Sequence, residues 1–110
     1  MEDLTKEFNY IFTQTVEFYI DHKNYIENIG RTEVIPKSIT KEEIKRAYYA
    51  SIYALIITLQ SNELFINGVV ILSDSVEQTA SQVFDNKLYP LMESYLINTK
   101  GISVTNPNNI

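Results

Sequence analysis

The chain has 110 residues, no cysteine, one histidine and a formal net charge of −5 at pH 7. These totals exclude a disulfide framework, a thiolate zinc site, a cysteine nucleophile and an intrachain His–His metal site. They allow one domain with a modest core, and they lack the basic face that a nucleic-acid-binding chain presents.

The opening stretch, MEDLTKEF, is acidic and has no apolar run of the kind that marks a secretory signal. With the absence of cysteine, it leads us to expect a cytoplasmic protein. Asp3 to Ile29 reads as one long helix. Leu4, Phe8, Ile11, Phe12, Thr15, Phe18, Tyr19, His22, Ile26 and Ile29 recur at three- and four-residue steps and predict one buried stripe. Val16 and Ile20 fall off that stripe. His22, in its middle, is expected as a core or interface imidazole. Gly30 suits the helix stop.

Residues 31–39 read as a loop, because Pro36 lacks an N–H and biases Ile35 away from helix. Thr40-Lys41-Glu42-Glu43 then spells a capping box, which predicts a second helix from this point. From Ala47 onward that helix is apolar on every side. Ala47, Ala50, Ser51, Ala54 and Thr58 gather on a small-residue face, and tyrosines and aliphatics cover the rest. A helix of this kind is expected to be surrounded. Its uncharged run is short of the roughly 20 apolar residues of a membrane span and contains Tyr, Ser, Thr, Gln and Asn. The expected surroundings are therefore protein.

Glu63 to Leu72 allows two readings. Four β-prone residues on either side of Asn67-Gly68 signal a hairpin with a type I′ turn. The same letters fit a helix ending in a left-handed cap at Asn67-Gly68. The second is preferred, since a lone hairpin is marginal in water and both faces of this one are apolar. Ser73 or Ser75 is expected to cap a third helix. Its stripe of Val76, Ala80, Val83, Phe84, Leu88, Leu91, Tyr95 and Leu96 runs through Pro90, where a kink or split is expected. Lys100 and Gly101 end it. Residues 1–101 thus form one helical domain, and 102–110 are expected to be a flexible tail.

Chemistry-bearing patterns are few. Glu17 and Asp21 share a helical face, and with His22 they are the residues an enzyme built on carboxylates and tyrosines would use. No phosphate loop, nucleophile elbow or HExxH occurs. No catalytic residue, cofactor or metal ligand is assigned. Arg31, Lys37, Lys41, Lys45 and Arg46 form a basic collar between two acidic regions and are candidates for partner binding.

Arg46-Ala47-Tyr48-Tyr49-Ala50, followed by Tyr53-Ala54-Leu55, resembles the RAYYA helix of HEPN-type domains. The resemblance implies a dimeric α-bundle of a toxin–antitoxin or defence system. The Arg-x4–6-His motif of the RNase members is absent, since the sole histidine lies upstream of any arginine.

The reading is an all-α bundle of three or four helices, with a long first helix and an apolar central one. Such a chain has more apolar surface than it readily covers, so a homo-oligomer, most simply a dimer, is expected. Its interface is assigned to Tyr48, Tyr49, Ile52, Tyr53, Ile56, Leu64, Phe65 and Val70. The function expected is that of a non-enzymatic accessory or inhibitor protein that binds another protein, away from membranes. The lean to Ile, Asn, Tyr and Lys is that of AT-rich coding and suggests a phage or mobile-element setting.

Overall fold

Thr40 does what its spacing predicts. Its Oγ1 accepts from the Glu43 N–H at 3.1 Å, and the Glu43 carboxylate accepts from the Thr40 N–H at 3.0 Å. The helix that starts here is α2, Lys41–Leu59, in a computed structural model that describes residues 2–105. Before it come α1, Thr5–Asn28, and a short strand β1, Ser38–Thr40. After it come strands β2, Glu63–Ile66, and β3, Val69–Leu72, then α3, Val76–Val83, a π-helical turn at Phe84–Leu88, α4, Tyr89–Asn98, and β4, Ser103–Thr105. The chain is mostly helical, with two small two-stranded sheets.

The segment 63–72 is a hairpin. Asn67 and Gly68 both take positive φ, 53° and 77°, as a type I′ turn requires. The helix end expected there lies earlier, at Gln60, which adopts the left-handed cap at φ 50°. A glutamine gives little warning of that conformation, and this is why the Asn-Gly pair is free to turn a hairpin. The hairpin is not alone. Leu64, Ile66 and Ile71 are buried in the core, the Leu4 N–H donates to the Phe65 carbonyl at 2.9 Å, and the Asn67 N–H donates to Thr5 Oγ1 at 2.7 Å.

The core is built around Tyr48. Its ring meets Phe8 and Phe12 edge-on at centroid distances of 5.6 and 5.9 Å and packs against Phe84 at 5.0 Å. Such pairs add roughly 0.5–1.5 kcal/mol each beyond the area they bury. Along α1 the buried residues are Phe8, Phe12, Val16 and Ile20. This is an i, i+4 ridge, and it corrects the predicted stripe: Val16 and Ile20 are inside, while Phe18, His22, Ile26 and Ile29 are outside. A ridge with four-residue steps drifts around the helix by about 40° per step, which suits neighbours that cross it obliquely.

The same spacing governs the third helical run, where Val76, Ala80, Phe84, Leu88, Met92 and Leu96 are buried. The π turn makes this possible. Within it the Tyr89 N–H donates to the Phe84 carbonyl, five residues back. Pro90 follows directly, at the start of α4. The wide turn uses extra residues for one revolution, so the inward position slips from Leu91 to Met92. The kink or split expected at proline takes the form of this bulge.

The assignment of 102–110 to a flexible tail needs correction for Ile102 to Thr105. Ile102 is buried, its N–H donates to the Leu96 carbonyl at 3.0 Å, and β4 pairs in parallel with β1, Ser38 opposite Ser103 and Thr40 opposite Thr105. Residues 106–110 of that predicted tail lie outside the described residues. Parallel pairing closes the two halves of the chain over Ile39, which is fully buried. The radius of gyration is 15.2 Å, against about 13 Å for a compact domain of this length, and the long axis extends 52 Å.

Candidate functional site

The outer face of α1 carries several large apolar side chains open to water. Phe18 is 63% exposed, Tyr25 70%, Ile26 54% and Ile29, at the C-cap, 62%. The exposed His22 ring stacks flat on Phe18, with centroids 5.8 Å apart and planes within 6°. With Ile11 and Thr15, both half-buried, Phe18, His22, Tyr25 and Ile29 recur at steps of four, three, four, three and four. That is the 3.5-residue seam of a helix that packs along another helix. So α1 has two apolar stripes. The i, i+4 ridge faces the core, and the heptad seam faces solvent. Sequence reading found most of the seam residues but placed them inside. Tyr25 was missed, and the heptad spacing is the signal that identifies it.

The loop after α1 is fixed against the C-terminal end of that helix. Asn28 Oδ1 accepts from the Ile35 N–H at 2.6 Å, and the Asn24 amide donates to the Ile35 carbonyl at 3.0 Å. Val34 stays exposed beside it and extends the apolar surface at this end.

The interface assigned from sequence divides. Tyr48, Ile52 and Leu64 are buried in the chain's own core and are closed to a second chain as the fold stands. Tyr49, Ile56 and Phe65 are partly covered, and Tyr53 and Val70 are exposed. Ile57 and Leu72, not assigned before, are exposed as well. The helix expected to be surrounded therefore buries one side only: Ala50, Tyr53 and Ile57 face solvent.

The basic collar is dispersed. Lys37 pairs with Asp21 on α1 at 3.0 Å. Lys41 reaches the opposite side, 3.6 Å from Asp85 and 4.8 Å from the centre of the Tyr89 ring. Arg46 lines a groove with Tyr19 and His22. Lys45 is half-buried and Arg31 exposed. Among the described residues no ion pair involves Arg31, Lys45 or Arg46.

The carboxylates do not converge with His22. Glu17 lies 3.5 Å from Lys100 and accepts from the Tyr95 hydroxyl at 3.3 Å, while Asp21 is held by Lys37. Both anions have cationic neighbours, and His22 is stacked on Phe18 instead. The Glu43 carboxyl is displaced from its ordinary pKa. Burial pushes it up, but hydrogen bonds from Lys23 and from the Thr40 N–H and hydroxyl outweigh burial and hold it below the usual value. Among the described residues no three His, Asp or Glu side chains gather as a metal site, and no helix is long and apolar enough to cross a membrane.

No protein-family model matches the chain, and searches of curated proteins and of solved structures find no match. The hairpin between α2 and α3 also interrupts the uninterrupted helical order that the HEPN resemblance implies.

Proposed function

We propose that this chain is a non-catalytic interaction protein that pairs with a second copy of itself through the outer seam of α1. The supporting observation is the heptad row of Ile11, Thr15, Phe18, His22, Tyr25 and Ile29, of which the last four are exposed and the first two half-buried. A contiguous exposed apolar patch of this kind marks an interaction surface, and heptad spacing selects a helix as the partner. The row is symmetric about position 20. An antiparallel second α1 then sets Phe18 of one copy against His22 of the other, Thr15 against Tyr25 and Ile11 against Ile29. Each pair is made twice, as a two-fold interface requires.

The added helix completes a bundle around α1. Tyr53 and Ile57 on α2 and Val70 and Leu72 on β3 remain outside this pairing. They offer a second surface to a different protein in the cytoplasm, and through it the dimer acts as an accessory or inhibitor factor. Light scattering at micromolar concentration tests the pairing. A dimer that becomes a monomer in Phe18→Asp supports it. A monodisperse wild-type monomer overturns it.

A further inference from the structure

The hairpin presents an open edge. In a type I′ hairpin the residues flanking the turn, Ile66 and Val69, exchange both ladder bonds, and alternation then turns the backbone groups of Phe65 and Val70 outward. The Phe65 carbonyl meets the Leu4 N–H, which fixes this phase on β2. On the other side, β3 pairs with β2 alone among the described residues. The Leu72 carbonyl accepts from the Ser75 N–H at 3.1 Å. The Val70 N–H, the Val70 C=O and the Leu72 N–H have no partner among the described residues. Both side chains are exposed, Val70 at 41% and Leu72 at 40%.

Sheet edges are commonly guarded by lysine. This one is not. No lysine or arginine occurs between Arg46 and Lys87, a span that contains Glu63, Asp74, Glu77 and Asp85. Glu63 stands opposite Leu72 in the ladder, and Asp74 and Glu77 line a pocket with Tyr53 just beyond it. These three carboxylates are exposed and form no ion pair among the described residues. A second β3 would bring this edge the same acids and no cation. Charge therefore favours a basic partner over a second copy.

We propose that β3 captures an extended segment of another protein, apolar at alternate positions and preceded by a pair of lysines or arginines, as an added antiparallel strand. This deepens the reading of Val70 and Leu72 as a surface for a different protein and rests on it, but it does not rest on pairing through α1. The segment residue opposite Val70 exchanges two backbone bonds with it, and the next residue but one toward the segment's N-terminus accepts from the Leu72 N–H. The side chains of these two residues lie on the same face as Val70 and Leu72 and pack beside them. The antiparallel direction carries the preceding basic pair past Leu72 to Glu63, Asp74 and Glu77.

The test is titration of the full chain with the blocked peptide Lys-Lys-Thr-Val-Thr-Val-Thr, following the backbone amide shifts of Val70 and Leu72. Saturable shifts at both are expected. Binding is expected to weaken at least about tenfold when the lysine pair is replaced by glutamates, and again when the second valine is N-methylated. Phe18→Asp is expected to bind the peptide as the wild type does, so failure of the α1 pairing and failure of this proposal are read separately. Val70→Pro removes the outward N–H at an edge position that takes no ladder bond from β2, and it is expected to abolish binding. Asp74→Lys combined with Glu77→Lys, both at exposed positions, is expected to turn the preference toward the glutamate peptide. No saturable shift at millimolar lysine peptide overturns the proposal. So does equal affinity for the lysine and glutamate peptides, or binding that survives N-methylation. Val70 and Leu72 shifts that change with protein concentration alone in Phe18→Asp overturn it in favour of a second copy.

Discussion

The Tyr48 hydroxyl donates to the Ala80 carbonyl oxygen at 2.8 Å and ties α2 to α3 inside the aromatic cage of Phe8, Phe12 and Phe84. Burial, with a smaller contribution from Tyr49, raises the phenol's pKa well above its ordinary value, so it stays a donor across the working pH range. The same carbonyl also accepts from the Phe84 N–H. Tyr48→Phe therefore leaves no acceptor orphaned and should cost about 1 kcal/mol or less. Tyr48→Ala removes the ring and should cost about 3–5 kcal/mol. Urea denaturation measures both, and a Phe variant as damaged as the Ala variant would show that the hydroxyl dominates.

Thr40→Ala should destabilise by about 1 kcal/mol through loss of the helix cap. Glu43 adds a pH dependence. Its folded pKa is depressed, so its stabilisation is present above the unfolded carboxylate pKa and is lost as pH falls through the folded value. Glu43→Gln keeps a capping acceptor but removes the charge facing Lys23, 3.0 Å away. Denaturation midpoints from neutral pH into acid should fall less steeply for that variant. An unchanged slope would separate Glu43 from acid sensitivity.

Ile102 and Ile97 provide a matched pair near the C-terminal strand. Ile102 is buried beside Leu96, whereas Ile97 is exposed. Ile102→Ala should cost about 2–5 kcal/mol, and Ile97→Ala should stay within about 0.5 kcal/mol. Thermal melts decide. Equal effects would mean that the β1–β4 pairing contributes little to holding the fold.

Phe18→Asp acts on an exposed position, so the isolated chain should keep its far-ultraviolet circular dichroism and lose under about 0.5 kcal/mol of intrinsic stability. The wild-type melting temperature should rise with protein concentration, as it does for any folded state stabilised by self-binding, and that of the variant should not. A concentration-independent wild type would argue against the α1 seam as a pairing surface.

What could be read from the sequence follows the range of the forces involved. The Thr40–Glu43 cap lies within four residues and was legible. The Asn67-Gly68 hairpin was visible as one of two options, and an unsignalled left-handed Gln60 decided between them. On α1 the early stripe residues Leu4, Phe8 and Phe12 are buried as expected, whereas Phe18, His22, Ile26 and Ile29 lie on the solvent side. Apolar spacing shows that a helix has a neighbour, and it does not say whether the neighbour belongs to the same chain. Val16 and Ile20 were set aside because an i, i+4 ridge drifts off a straight stripe. Pairing of Ser38–Thr40 with Ser103–Thr105 has no local pattern at all, since three-residue strands carry almost no periodicity. Of the carboxylate candidates, Glu17 and Asp21 do share a surface, but lysines occupy it.

The parallel ladder that joins β1 to β4 has a consequence for biogenesis. While the polypeptide emerges from the ribosome at about 5–20 residues per second, the first helices and the hairpin can assemble early. Ile39 nevertheless has no covering strand until the stretch beyond Gly101 has been translated. For several seconds the nascent chain therefore carries an open backbone edge, and this interval is when chaperone capture or misassociation with a neighbouring nascent copy has its opportunity.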